Sequence, residues 1–235
     1  MEAILEVSDL TKTFENRKKT EFYAVDHVSF QVMPGQTVGI VGESGSGKST
    51  LLNILGLLDD ATIGTYKLDG VDIRKLSKKE SAFIRNQKIG FVFQAYHLIP
   101  ELNALENLVV PLGYAGMRKK EREKIAYELL TEFGIDDLEK KHVSQMSGGE
   151  QQRIAIMRAI INKPQILLAD EPTGNLDKEN SQTIMNLFER LNKQGMTIVM
   201  VTHDTSLAKY GTRVVRVEDG RIIEKGKPRG TASLY

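Results

Sequence analysis

Lys48 and Ser49 close the run Gly42-Glu43-Ser44-Gly45-Ser46-Gly47-Lys48-Ser49-Thr50. Every fixed position of the P-loop pattern G-x-x-x-x-G-K-[ST] is filled. Glycines allow successive backbone N–H groups to turn inward and make an anion nest at the positive end of a following helix. Lys48 adds a point charge suited to β- and γ-phosphates, and the Ser49 hydroxyl suits Mg²⁺. A second signal is Ile166-Leu167-Leu168-Ala169-Asp170-Glu171, an apolar run ending in two carboxylates. Ligands of open α/β sheets sit beyond the carboxyl ends of the strands, so these two are expected beside the phosphates. Asp170 suits a Mg²⁺ shell. Glu171 suits a general base that orients an attacking water.

A third signal is Met146-Ser147-Gly148-Gly149-Glu150, followed by Gln151-Gln152-Arg153-Ile154-Ala155. Ser and Gly open a helix here. That is either an ordinary Ser-capped helix or a second anion-binding N-terminus, and the residue types fit both.

These groups need elements that hold them. Thr37-Val38-Gly39-Ile40-Val41 reads as a buried strand feeding the glycine loop, and Leu51-Leu52-Asn53-Ile54-Leu55 continues the loop as a helix. Thr197 to Val201 reads as another buried strand. Between it and the Asp170 strand, Ile184, Leu187, Phe188 and Leu191 recur as the apolar stripe of an amphipathic helix. Strand, crossover helix and strand imply an α/β fold with a parallel core. Ile4 to Val7 and Val28 to Val32 are further strands. Asp69-Gly70 and Asp219-Gly220 mark turns between short strands. Ile89 to Phe93 is a strand, and Ile125, Leu129 and Phe133 mark a helix at four-residue intervals. Residues 16–20 read as a solvated basic loop and the tail after Gly226 as frayed.

Composition sets the frame. The chain has 235 residues, 40% hydrophobic and 27% charged, enough for a core without staples. The net charge of +1 argues against a broad nucleic-acid surface. The absence of cysteine excludes disulfides and thiolate metal sites. The apolar runs are too short to span a bilayer, and Met1 to Glu6 carries no secretory pattern, so any membrane-spanning part is expected on another chain.

Over residues 3–226 the sequence resembles an ATP-binding-cassette (ABC) ATPase. Met146 to Glu150 is similar to the family signature LSGGQ. Gln94 matches the Q-loop glutamine, His203 the switch histidine, Asn175-Leu176-Asp177 the D-loop, and Tyr23 the aromatic that stacks on adenine. The resemblance implies one ABC domain over 1–235. A P-loop NTPase core with a parallel sheet and an N-terminal antiparallel β subdomain would occupy 1–94 with 163–226. A helical signature subdomain would occupy 95–162, with a tail at 227–235. It implies ATP and Mg²⁺ as cofactors, the metal being held by Ser49, Gln94 and Asp170. It also implies a head-to-tail dimer in which Ser147, Gly148 and Gly149 of one copy cap the ATP on the other's P-loop. Catalysis would fall to Lys48, Glu171 and His203, with His203 holding the γ-phosphate and the Glu171-bound water. His27, His97 and His142 receive no role.

Two residues depart from the family pattern. Met146 replaces leucine, a tolerable apolar exchange. Glu150 replaces glutamine in the first helical turn, where it suits the helix dipole and should point away from a γ-phosphate. The stretches Gly90 to Pro100 and Glu171 to Asp177 resemble the branch of macrolide-exporter (MacB), lipoprotein-release (LolD) and cell-division (FtsE) ATPases. That branch implies a few-span permease partner of the MacB, LolC or FtsX kind, a place at the cytoplasmic membrane face, and export of an antimicrobial peptide or macrolide. A periplasmic or extracellular adaptor and a mechanical switch acting on a cell-wall enzyme are the further possibilities. Phe93, Tyr96, Leu98, Ile99 and Leu102 are candidates to line a groove for a permease helix. The single cassette and near-zero charge disfavour a DNA-repair or translation ATPase.

Overall fold

A computed structural model describes residues 2–15, 21–203 and 213–226; the loop 16–20 and the tail 227–235 lie outside the described residues. The strands are β1 (Leu5–Glu15), β2 (Glu21–Val32), β3 (Thr37–Val41), β4 (Ile63–Leu68), β5 (Val71–Asp72), β6 (Ile89–Val92), β7 (Ile166–Asp170), β8 (Thr197–Thr202), β9 (Arg213–Glu218) and β10 (Arg221–Gly226). The helices are α1 (Lys48–Leu55), α2 (Lys78–Lys88), α3 (Ala104–Tyr114), α4 (Lys119–Glu132), α5 (Gly148–Ile160) and α6 (Lys178–Lys193).

Two sheets result. An antiparallel sheet runs in the order β2-β1-β4-β5, and a mixed sheet in the order β10-β9-β3-β8-β7-β6. In the second, β9, β3, β8, β7 and β6 are parallel neighbours and β10 closes the edge antiparallel to β9. The central strands β3 and β8 are buried at every residue. That reflects apolar cover on both faces, as a parallel sheet requires. Alternate residues serve two cores. Ile166, Leu168, Val199 and Val201 pack with α1 and the antiparallel sheet. Leu167, Ala169, Ile198 and Met200 pack with residues of α3 to α6.

The structure corrects several sequence expectations. β1 runs to Glu15 instead of stopping at Val7: it stays paired with β2 to Glu21, and register shifts at Val7/Leu10 and Leu10/Lys12 break the period-two alternation that would have marked its second half. Asp9 and His27 take left-handed backbone there, with φ 55° and 49°. In α4 the fully buried positions are Ala126 and Leu130, while Ile125, Leu129 and Phe133 are partly buried at the margin of the core. β6 ends at Val92, so Phe93 and Gln94 already belong to the following loop. Leu98 is core, and Tyr96 packs on the same cluster, so these two do not line an open groove. Helices α2 and α3 begin with capping boxes, Ser77 with Glu80 and Asn103 with Glu106, which the sequence reading passed over.

Candidate active site

The registers Val41↔Thr202, Asp170↔Val201 and Val92↔Ala169 bring the carboxyl ends of β3, β8, β7 and β6 to one edge of the sheet. From that edge leave the glycine loop, the pair Asp170-Glu171, His203 and the segment carrying Gln94.

The glycine loop is built around absent side chains. Gly45 and Gly47 have φ 81° and 97°, conformations that favour glycine. A side chain at Gly47 would strike the Ala24 carbonyl, and one at Gly42 the Val217 carbonyl. The Ser46 hydroxyl oxygen is buried and has no hydrogen-bond partner among the described residues. Lys48 opens α1, is only 6% exposed, and donates to the Glu43 carbonyl at 2.6 Å. A buried ammonium with donors beyond that single bond and an orphaned hydroxyl form a cradle that suits a polyanion. Glu43, Ser44 and Gly45 are exposed at its rim, and Thr50 is half-buried.

Ser49 donates its hydroxyl to Asp170 Oδ1 at 3.1 Å. Burial pushes the Asp170 carboxyl above the ordinary carboxylate range, and the neighbouring Glu171 charge adds to this. The Ser49 hydrogen bond and the Lys48 charge oppose it. Hard oxygen donors with surplus negative charge fit a divalent cation. Among the described residues no cluster of three or more His, Asp or Glu side chains could hold a metal unaided.

Glu171 stands at φ 42°. Its backbone N–H donates to the Val201 carbonyl at 3.0 Å, and its own carbonyl accepts from Gly174 N–H at 3.0 Å. Left-handed backbone in a non-glycine residue is a strained arrangement typical of functional positions. His203 Nδ1 lies 2.7 Å from Glu171 Oε2; a carboxylate only accepts, so the imidazole donates. Gln94 is adjacent. A methyl group at Gly174 would meet the Gln94 amide nitrogen at 2.9 Å and Glu171 Oε2 at 3.3 Å. Lys48, Ser49, Asp170, Glu171, His203 and Gln94 thus share one edge, with the Gln94 and Glu171 side chains both against Gly174.

Of the remaining candidates, Ser147, Gly148, Gly149 and Asp177 have neighbours other than the glycine loop, whereas Tyr23 directly precedes Ala24, whose carbonyl packs on Gly47. Ser147 is the N-cap of α5; its hydroxyl accepts from Glu150 N–H at 3.3 Å, and its N–H donates to Glu150 Oε2 at 2.7 Å. A side chain at Gly148 would meet the Tyr96 hydroxyl and Leu176, and one at Gly149 would strike Asn180. Asp177 is the N-cap of α6 and accepts from Asn180 N–H at 2.8 Å. Tyr23 sits on β2, 53% exposed. Glu150 turns back on its own chain, where Lys141 Nζ lies 2.8 and 2.9 Å from its two oxygens. That pairing holds its carboxyl below the usual range.

The sequence reading overlooked Arg158. From α5 it donates to the carbonyls of His97 at 2.6 Å and Tyr96 at 2.9 Å, which both sit at positive φ. It also gave no role to Gly174, whose signal was only its place in the Glu171-Pro172-Thr173-Gly174 run.

The model of the family described as ABC transporter matches residues 25–174. The chain belongs to that family. This ABC protein is therefore an ATPase, the ATP-binding subunit of a transporter. It is 45% identical over 220 residues to YknY of Bacillus subtilis, an uncharacterized ABC transporter ATP-binding protein, covering 94% of this chain and 95% of YknY. It is 46% identical to the lipoprotein-releasing system ATP-binding protein LolD of Aquifex aeolicus, covering 89% and 94%. It is 42% identical to the macrolide export ATP-binding/permease protein MacB of Mannheimia succiniciproducens, covering 94% of this chain and 34% of MacB. The solved ABC cassette MJ0796, in its dimeric post-hydrolysis state bound to ADP and Pi, superposes with a TM-score of 0.88 at 41% identity, covering 96% of this chain and 99% of that one. Among the described residues no helix of this ABC subunit is long and apolar enough to cross a membrane.

Proposed function

We propose that this subunit pairs head to tail with a second copy of itself around ATP and drives a separate membrane permease that exports an antimicrobial peptide or macrolide-type amphiphile. The observation that carries the pairing is the separation of the two glycine cradles. The loop at 42–50 is backed by Ala24, Val217 and Gly220, whereas Gly148 and Gly149 are backed by Tyr96, Leu176 and Asn180. With no neighbours in common, the second cradle has its use on another copy's nucleotide. The MJ0796 cassette, which is dimeric, supports pairing with a second copy.

Tyr23 stacks on adenine. The loop amides and Lys48 grip the phosphates, and Thr50 closes the cradle at the start of α1. Mg²⁺ carried with ATP would be held by Ser49, Asp170 and Gln94 and would neutralise charge on the β- and γ-phosphates. Glu171 accepts the proton of the attacking water, and His203 orients Glu171 and faces the γ-phosphate. Ser147 and Gly149 of the second copy donate to that phosphate, with the α5 dipole adding to the field, and Asp177 borders the same interface. Losing these shared contacts after hydrolysis opens the pair. The segment 95–162 moves as one unit against the core formed by 1–94 and 163–226, and carries this motion to the permease. The subunit then sits at the cytoplasmic membrane face through its permease, and an adaptor outside the membrane extends the path.

The 46% identity with LolD favours a second reading: release of a lipoprotein or mechanical activation of a cell-wall enzyme, without export. Co-purification with the permease and reconstitution in inverted vesicles separates the two. ATP-dependent accumulation of a labelled macrolide or antimicrobial peptide supports export. Hydrolysis without accumulation, but with lipoprotein release or hydrolase activation, supports the second reading. Failure of any permease to co-purify overturns both.

A further inference from the structure

We propose that the Asp219-Gly220 turn, latched by the ion pair of Asp26 with Arg221, is a positioning clip that aims the backbone of the glycine loop at the nucleotide phosphates. The inference rests on the reading of residues 42–50 as the phosphate cradle.

Gly220 uses its two backbone groups on two different segments. Its N–H donates to the Ser46 carbonyl at 3.0 Å, and its carbonyl accepts from Asp26 N–H at 2.9 Å. The first bond sets the direction of one peptide plane in the loop. In a planar trans peptide the carbonyl and the N–H point opposite ways. Holding the Ser46 carbonyl toward Gly220 therefore turns the Gly47 N–H away from Gly220, into the cradle. Gly47 has φ 97° and no room for a side chain against the Ala24 carbonyl, so its backbone rests directly on β2.

The clip is rigid for local reasons. Asp219 and Gly220 have φ 45° and 77°, the paired positive values of a tight Asp-Gly hairpin turn. A methyl group at Gly220 would lie 3.1 Å from the Ala24 carbonyl oxygen and 3.3 Å from Asp26 N. Next along the chain, Arg221 Nε donates to Asp26 Oδ2 at 2.6 Å, and the Asp26 side chain is only 9% exposed. A main-chain bond to Gly220 and a side-chain bond to Arg221 thus tie the turn and the start of β10 to Asp26 on β2. A charge-assisted bond of this length is stronger than a neutral one. None of these side chains belongs to the phosphate cradle. They act on it through Ser46, holding in place beforehand a donor that would otherwise have to be ordered when the anion arrives.

The test is binding of a fluorescent ribose-labelled ATP to the full chain. Asp26→Asn and Arg221→Gln should each raise Kd about fivefold, the scale of one weakened hydrogen bond to a charged group. Arg221→Lys should retain most of the affinity. The double variant should bind no worse than either single one, because both break the same latch. Amides 44–47 should exchange hydrogen faster while those of β7 keep their rates, and kcat at saturating ATP should stay unchanged while KM rises. A purely structural role would instead lower kcat with the folded fraction. If Asp26→Asn fails to fold, Arg221→Gln, whose side chain is 69% exposed, carries the test. ATP affinity within twofold of wild type, or multiplying effects in the double variant, overturns the clip while Lys48→Ala still abolishes binding. Normal ATP binding by Lys48→Ala overturns the cradle reading itself.

Discussion

His203 Nδ1 and Glu171 Oε2 stand 2.7 Å apart, and Glu171 reaches that position from a left-handed backbone at φ 42°. The bond holds the carboxylate at the end of β7 against the residue that follows β8, its sheet neighbour. In the proposed mechanism this held carboxylate is the base that takes the proton of the attacking water.

Glu171→Gln keeps size and hydrogen bonding but cannot take a proton. ATP binding should persist, turnover should fall at least about a hundredfold, the low end for a lost general base, and a dimer should accumulate with ATP. Hydrolysis at the wild-type rate removes Glu171 from the base role.

Ser147→Arg places a bulky cation at the N-cap of α5, remote from the chain's own glycine loop. Monomeric ATP binding should be spared and ATP-dependent dimerisation lost. Size-exclusion chromatography with ATP in the Glu171→Gln background reads both; a persisting dimer ends the trans role of the signature.

The sequence carries the central sheet well because β3, β7 and β8 are short, mostly apolar runs that end at chemical groups. Burial on both faces leaves no other reading for them. It carries β1 poorly because bulges at Leu10 and Lys12 erase the alternation that marks a strand. Helix α2 has no buried residue, so no apolar stripe announces it, and only its Ser77–Glu80 capping box could have done so. In the site, Lys48, Asp170 and Glu171 are legible from local pattern. The strain at Glu171 is not, since glutamate gives no signal of a left-handed backbone. The Lys141–Glu150 pair and the Arg158 bonds join separate segments and become visible only when those segments pack.

Lys141 explains how a glutamate is tolerated in the signature. It neutralises the Glu150 carboxylate, which also caps the Ser147 N–H. Lys141→Met leaves the Glu150 carboxylate unpaired, and in the proposed dimer that charge would stand near the second copy's phosphate. ATP-dependent dimerisation should weaken about threefold to fivefold, the scale of a partly exposed pair. Adding Glu150→Gln should restore it. A double variant as weak as the single one would falsify the charge argument in favour of lost packing.

His27 offers a pH test of stability. Its Nδ1 bonds Asp9 Oδ1 at 2.5 Å, and this bond, with the Asp9 charge, raises its pKa above the ordinary value. Asp26 adds to the rise, while desolvation and Arg221 oppose it. The folded pKa exceeds the unfolded value of about 6.5, so the stabilisation is complete below that pH and is lost as pH rises through the folded pKa. Relative to His27→Gln, the wild-type Tm should decline as pH rises above about 6.5. Superimposable profiles over that rise mean the pair contributes nothing.

Gly174 separates two groups that both face the proposed reacting water. A methyl there would meet the Gln94 amide nitrogen at 2.9 Å and Glu171 Oε2 at 3.3 Å, so one side chain or both must shift. Gly174 has no positive φ, so the backbone itself tolerates alanine. The phosphate cradle is formed by other residues, and ATP affinity should stay within about twofold of wild type. Misplacing a general base by a fraction of an ångström to one ångström costs up to about a hundredfold in rate, so kcat should fall about tenfold or more. Single-turnover hydrolysis alongside ATP binding separates the two effects. An unchanged single-turnover rate in Gly174→Ala would mean that Gln94 and Glu171 act from positions other than those seen here.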